Sequence, residues 1–246
     1  MSLARSLRGR LLVPDSSRPG WIEHPDAIIE IDERGDIVDV IVPQSGDPRP
    51  ETWPGTVLLP GLVDAHLHYP QTRMVGTAAG PLLEWLSTTT FPEEARFADD
   101  AYAAAVADEF CAALARAGTT SSSVYGSPHP SSTHALFQAL DRWGLRAQAG
   151  LTLMDQGAPP ANLLPTQQAD GAYEALVGRW HGHDRGRLRV VVTPRFALSC
   201  SPELLRAASD IARRHGLTIQ THISENADEV AAIAEIFPDC ADYLGV

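Results

Sequence analysis

Three histidines and one glutamate carry the chemistry this sequence offers. His66 and His68 are one residue apart and close an apolar run that begins at Leu59. On a β-strand residues i and i+2 face the same side, so a strand ending here aims two imidazoles at one point, where they can hold a metal ion. The plain alternative is a pair of ordinary polar residues at a strand end. His222 follows another short apolar segment, and Glu225 stands three residues further on. That spacing offers a third nitrogen ligand together with a carboxylate for acid–base work. A carboxylate there is also favoured by the dipole of a helix N-terminus. Nitrogen donors suit zinc, and also iron and nickel. A second pair, His181 and His183, has the spacing of the first but lies between a helical pattern and the next strand, and is expected to be solvated loop.

The elements that position these residues can be read from periodicity. Residues 1–58 are β-rich: Ala27–Ile31 and Ile37–Val42 flank the polar turn Asp32–Asp36, a hairpin signature. Pro43–Gly55 reads as linker. Beyond it, strands are expected at Val57–Val63, Thr119–Tyr125, Arg146–Met154, Leu188–Val192 and Leu217–Thr221. They alternate with helices at Asp99–Ala117, Thr133–Trp143, Gly171–Trp180, Pro202–His215 and Glu225–Phe237. Such alternation indicates βαβ units around a parallel sheet. Pattern alone leaves a doubly wound sheet and a (β/α)8 barrel open, but no Gly-rich phosphate loop follows the first strand, which weakens a nucleotide-binding reading.

Composition sets further bounds. The chain has 246 residues, 44% hydrophobic and 20% charged, with a formal net charge of −12. A packed core is expected, and so acidic a surface repels phosphate backbones and anionic lipids. Neither nucleic acid nor membrane is therefore expected as a partner, and no apolar run is long enough to span a bilayer. The three cysteines, Cys111, Cys200 and Cys240, are widely spaced and read as reduced thiols of a cytoplasmic protein. Without a Cys-x-x-Cys pair, the Cys-rich zinc site of the small nucleobase deaminases is excluded.

The run Leu59-Pro60-Gly61-Leu62-Val63-Asp64-Ala65-His66-Leu67-His68 resembles the first-strand motif of the metal-dependent amidohydrolase superfamily. Tyr69-Pro70-Gln71, Leu82-Leu83-Glu84-Trp85-Leu86 and Thr90-Phe91-Pro92-Glu93 narrow the resemblance to its guanine deaminases. So do Val192-Thr193-Pro194-Arg195-Phe196 and His222-Ile223-Ser224-Glu225-Asn226.

The resemblance implies an α/β fold, a (β/α)8 TIM-like barrel of amidohydrolase type. The first five βα units would occupy residues 59–246, and residues 1–58 would form part of a small β-sandwich domain. It implies one Zn2+ per subunit on His66, His68 and His222, with Fe2+ as the other candidate metal. Glu225 would be the catalytic proton carrier. His68, Gln71, Arg195, Phe196, His222 and Glu225 would contact the purine: Gln71 on its edge, Arg195 on its carbonyl, Phe196 against its ring. Each of the last three has a plainer role open to it: Gln71 in a polar loop, Arg195 paired with a neighbouring carboxylate, Phe196 in the core. The implied reaction is hydrolysis of guanine to xanthine and ammonia in purine catabolism, by a cytoplasmic homodimer. Other aminated purines or triazines as substrates, or a non-catalytic scaffold of the same fold, are the alternatives. The family pattern also has a His after strand six and an Asp after strand eight, so a stretch ending after the fifth unit is expected to be inactive by itself.

Overall fold

The computed structural model describes residues 3–49, 52–77 and 80–246. The chain divides into two compact units, Met1–Gly61 and Leu62–Val246.

In the first unit, β1 (Leu3–Pro14), β2 (Trp21–Asp32), β3 (Ile37–Ile41) and β4 (Val57–Leu58) form one sheet in the order β3-β2-β1-β4. The β2–β3 hairpin stands where its apolar runs place it, and the turn between them follows from local chemistry. Asp32 accepts from the backbone N–H groups of Arg34 (2.8 Å) and Asp36 (3.0 Å), and Gly35 takes φ 82°, the left-handed region that costs glycine least. The β1 strand carries Arg5, Arg8 and Arg10 among its apolar residues, which hides its period. Arg8 is held by Asp26 at 2.7 Å.

The second unit is built on β5 (Leu62–His68), β6 (Thr119–Tyr125), β7 (Arg146–Gly150) and β9 (Leu188–Val190), which pair in parallel in that order. Beyond them, β8 (Thr152–Leu153) pairs in parallel with β10 (Thr193–Pro194). The segment after β5 winds through a 3-10 turn, Tyr69–Met74, to α1 (Leu82–Trp85), a π turn and α2 (Phe91–Ala95). Then come α3 (Asp100–Ala117), α4 (Pro130–Arg142), α5 (Thr166–Trp180), the single turn α6 (His183–Gly186), α7 (Pro202–His215) and α8 (Ala227–Ile236). The helices bury one face against the sheet. Leu136, Phe137 and Leu140 of α4 have no exposed surface, and full burial of such side chains is worth about 1.5–3 kcal/mol each. The ends of α3 are capped as its sequence dictates: Asp99 accepts from Ala101 N (2.8 Å), and Gly118 closes the helix at φ 75°. Among the described residues no helix is long and apolar enough to cross a membrane.

Four expectations need correction. The run Val57–Val63 is not one strand: Val57–Leu58 pairs with β1, and a new strand in the other unit starts at Leu62. Pro60 between them has no N–H for a ladder. The Arg146–Met154 strand breaks at Leu151, because its carbonyl is taken by the hydroxyl of Tyr173 at 2.6 Å. Residues 217–221 form a single parallel bridge, Val192↔Ile219, although Val192 N still donates to Thr218 O and Gln220 N to Val192 O. Finally, α4 and α5 begin at Pro130 and Thr166, earlier than apolar spacing suggests, while α8 begins only at Ala227.

Candidate active site

The parallel sheet delivers three imidazoles to one point. His66 and His68 end β5, and their ring centroids lie 4.9 Å from that of His222 in each case. One ring nitrogen from each of the three lies within 4.8 Å of the others, and His68 Nε2 and His222 Nε2 are 2.9 Å apart. The chemistry of the set fits a divalent metal. His222 Nδ1 stands 2.7 Å from the carbonyl oxygen of Arg195. A carbonyl only accepts, so Nδ1 carries the proton and Nε2 presents its lone pair to the cluster. Burial pushes His222 down to about 4 and His68 well below the ordinary histidine range, so both imidazoles are neutral, the form that ligates. Tyr125, at the end of β6, stacks on His68 with centroids 4.6 Å apart and walls off one side.

Glu225 lies in the loop before α8. The helix end does not need it: Asn226 is the cap, and Glu229 completes a capping box and accepts from both Glu225 N (3.0 Å) and Asn226 N (3.2 Å). Ser224, beside it, takes φ 59°, a conformation uncommon for a non-glycine residue and frequent at functional sites. Burial raises the Glu225 carboxyl above the usual range, and the Glu229 charge adds to this.

A cavity of about 280 Å³ opens over the cluster, lined by His66, His68, Gln71, Leu82, Trp85, Leu86, Arg195, Phe196, His222 and Glu225. This volume lies near the lower end of the about 300–1,000 Å³ typical of small-molecule sites. All seven site residues named from the sequence line it. Phe196 is nearly buried, packed with Leu86, Phe91 and Met154. Arg195 does pair with a carboxylate: Nη1 donates to Glu94 Oε2 at 2.7 Å, and Gln71 Nε2 donates to Glu94 Oε1 at 3.2 Å. The pair His181 and His183 stays outside. His181 Nδ1 accepts from Val190 N at 3.2 Å, and His183 contacts Asp141 at 3.1 Å.

Residues 57–245 match the Amidohydrolase family. The chain belongs to this family. Within it, the chain is 40% identical over 199 residues to a guanine deaminase of Escherichia coli (strain K12), a match covering 80% of this chain and 45% of that protein. The chain thus spans less than half the length of that relative. Among solved structures it is similar to E. coli guanine deaminase, with TM-score 0.87 at 32% identity, over 100% of this chain and 58% of the other. It is also similar to a guanine deaminase from C. acetobutylicum with guanine bound in its active site, with TM-score 0.86 at 26% identity, over 98% and 58%. The parallel units described above are therefore a stretch of the amidohydrolase barrel, and the histidine cluster sits at the C-terminal ends of its strands, the face that carries chemistry in such barrels. One lining residue, Trp85, and one buried residue that holds two of the lining side chains, Glu94, escaped the sequence reading. Trp85 was visible only as part of a motif, and Glu94 only as one of two adjacent acidic residues. A glutamate two residues after Pro92 on a short helix carries no signal of burial.

Proposed function

We propose that the full-length protein hydrolyses guanine to xanthine and ammonia, with one zinc ion per subunit held by His66, His68 and His222. The observation that carries this reading is a shared cavity. A guanidinium (Arg195), a carboxamide (Gln71) and an aromatic ring (Phe196) face the same small space as three clustered imidazoles and a carboxyl of raised pKa. Similarity to proteins that bear the name guanine deaminase supports the substrate.

Bound zinc would supply acidity to a water molecule, lowering its pKa from 15.7 to about 7. The chain's own residues do the rest. Arg195 donates to the purine carbonyl, Gln71 meets the ring edge, and Phe196 packs on the ring face, which holds the amine-bearing carbon towards His68, His222 and Glu225. Glu225 takes one proton from the water and passes it to the ring nitrogen, then takes the second from the hydroxyl now on the ring carbon and gives it to the amine, which leaves as ammonia as the carbonyl forms. A carboxyl held above its ordinary range both accepts and returns a proton near neutrality. Leu86 and Trp85 restrict solvent entry. The setting we propose is purine catabolism, in the cytoplasm, by a homodimer.

The test is a competition of substrates on the metal-loaded full-length protein. Guanine should have the highest kcat/KM among guanine, adenine and melamine, with xanthine and ammonia formed in equal amounts. A preference for melamine or adenine would overturn the assignment.

A further inference from the structure

We propose that Glu94 is the positioning residue of purine recognition, a buried carboxylate whose two oxygens set Arg195 and Gln71 in register with each other. The inference rests on the guanine reading above. Three chain segments distant in sequence meet here: Gln71 from the 3-10 turn after β5, Glu94 from α2, and Arg195 from the segment after β10. Glu94 is 1% exposed and Arg195 4%. Burying a carboxylate is costly unless it is paired and hydrogen-bonded, so a glutamate placed here needs an organised set of donors, and its two partners, Arg195 and Gln71, both line the cavity.

The arrangement sets more than position. A carboxylate only accepts, so the Gln71 amide must turn its NH2 towards Glu94 Oε1, and its own oxygen is turned away. One of the two flipped states of that amide is thereby selected. On Arg195, Glu94 Oε2 engages Nη1 and leaves other N–H groups of the rigid fork for an acceptor in the cavity. The Arg195 guanidinium also lies 5.4 Å from the Phe91 ring centroid, on the same helix as Glu94. That helix is in turn pinned by Asn162 Nδ2, which donates to Phe91 O at 3.1 Å. The π turn Leu86–Thr90 before it follows from Pro92, which lacks an N–H and crowds the carbonyl four residues back.

The experiment uses the metal-loaded full-length protein and two purines: guanine, and 2-aminopurine, which keeps the amine and lacks the carbonyl. Glu94→Gln is nearly isosteric but can no longer accept from both partners. It should lower kcat/KM for guanine about ten- to a hundredfold, the range given by one charged hydrogen bond, and change that for 2-aminopurine less than threefold. Glu94→Asp keeps the charge and should fall between Glu94→Gln and wild type. In an Arg195→Met background, Glu94→Gln should cost guanine turnover less than a further threefold, the small remainder that passes through the neutral Gln71 contact, because Glu94 acts mainly through Arg195. This double variant also removes both buried charges, so it folds even where Glu94→Gln alone does not. Calorimetric binding of xanthine should weaken in parallel with guanine kcat/KM. Equal losses on both purines, or independent losses in the double variant, would show that Glu94 is merely structural. Wild type inert towards guanine would refute the functional reading and this inference together, whereas an active wild type with uniform losses would refute this inference alone.

Discussion

The strand break at Leu151 rests on one hydroxyl, and removing it by Tyr173→Phe tests how the site is held. Tyr173 is fully buried in α5. Its hydroxyl donates to Leu151 O at 2.6 Å and accepts from Thr193 N at 2.9 Å. It therefore bridges the two places where β7–β8 and β9–β10 interrupt their ladders. The phenylalanine ring fills the same space, so no cavity contributes, and the loss is that of two buried backbone groups deprived of a partner. Each such group costs about 1–3 kcal/mol, an orphaned N–H more than an under-satisfied carbonyl, which sets the total at about 2–4 kcal/mol. That is a large part of the about 5–15 kcal/mol that holds a domain. Arg195 lies two residues beyond Thr193, so guanine kcat/KM should fall as well. Urea unfolding of the full-length protein, followed by fluorescence and by residual activity, gives both quantities. A stability loss below about 0.5 kcal/mol, the range of a neutral surface substitution, would refute the bridging role.

Other substitutions probe the site itself. Glu225→Gln should retain metal and lose turnover by about 10²–10⁴-fold, the usual contribution of general acid–base catalysis; a rate within a few-fold of wild type would remove the proton-carrier role. His68→Ala should lower the zinc content measured by elemental analysis, and undiminished metal would exclude it as a ligand. Arg195→Ala should reduce guanine kcat/KM about ten- to a hundredfold. It should also destabilise by about 3–5 kcal/mol, because Glu94 is left as an uncompensated buried charge; an unaltered unfolding midpoint would contradict the pairing. Gly150→Ala places a Cβ 2.0 Å from Val191 O and 2.1 Å from Thr193 Oγ1, so it should cost about 1–3 kcal/mol or more, read from the same unfolding curves.

The convergence of His66, His68 and His222 was legible because strand period and strand-end position are local properties, and His181 and His183 were separated from them on the same ground. Helices with a strong stop, such as α3 at Gly118 and α7 at Gly216, were legible for a similar reason. What escaped depended on partners distant in sequence. The break at Leu151 is made by Tyr173, 22 residues on, and the fork at Glu94 joins it to Arg195, 101 residues away. The α8 start at Ala227 was obscured by Glu225, whose type suits a helix N-terminus. Only the observed capping box of Asn226 and Glu229 frees Glu225 from that duty. The two strands within Val57–Val63 read as one because apolar composition does not say which sheet a residue joins.

The most direct test of the account is product formation by the full-length protein loaded with zinc and supplied with guanine. The account predicts xanthine and ammonia in a one-to-one ratio, lost on chelation and restored by zinc. A protein that binds zinc stoichiometrically and leaves guanine unchanged would contradict it.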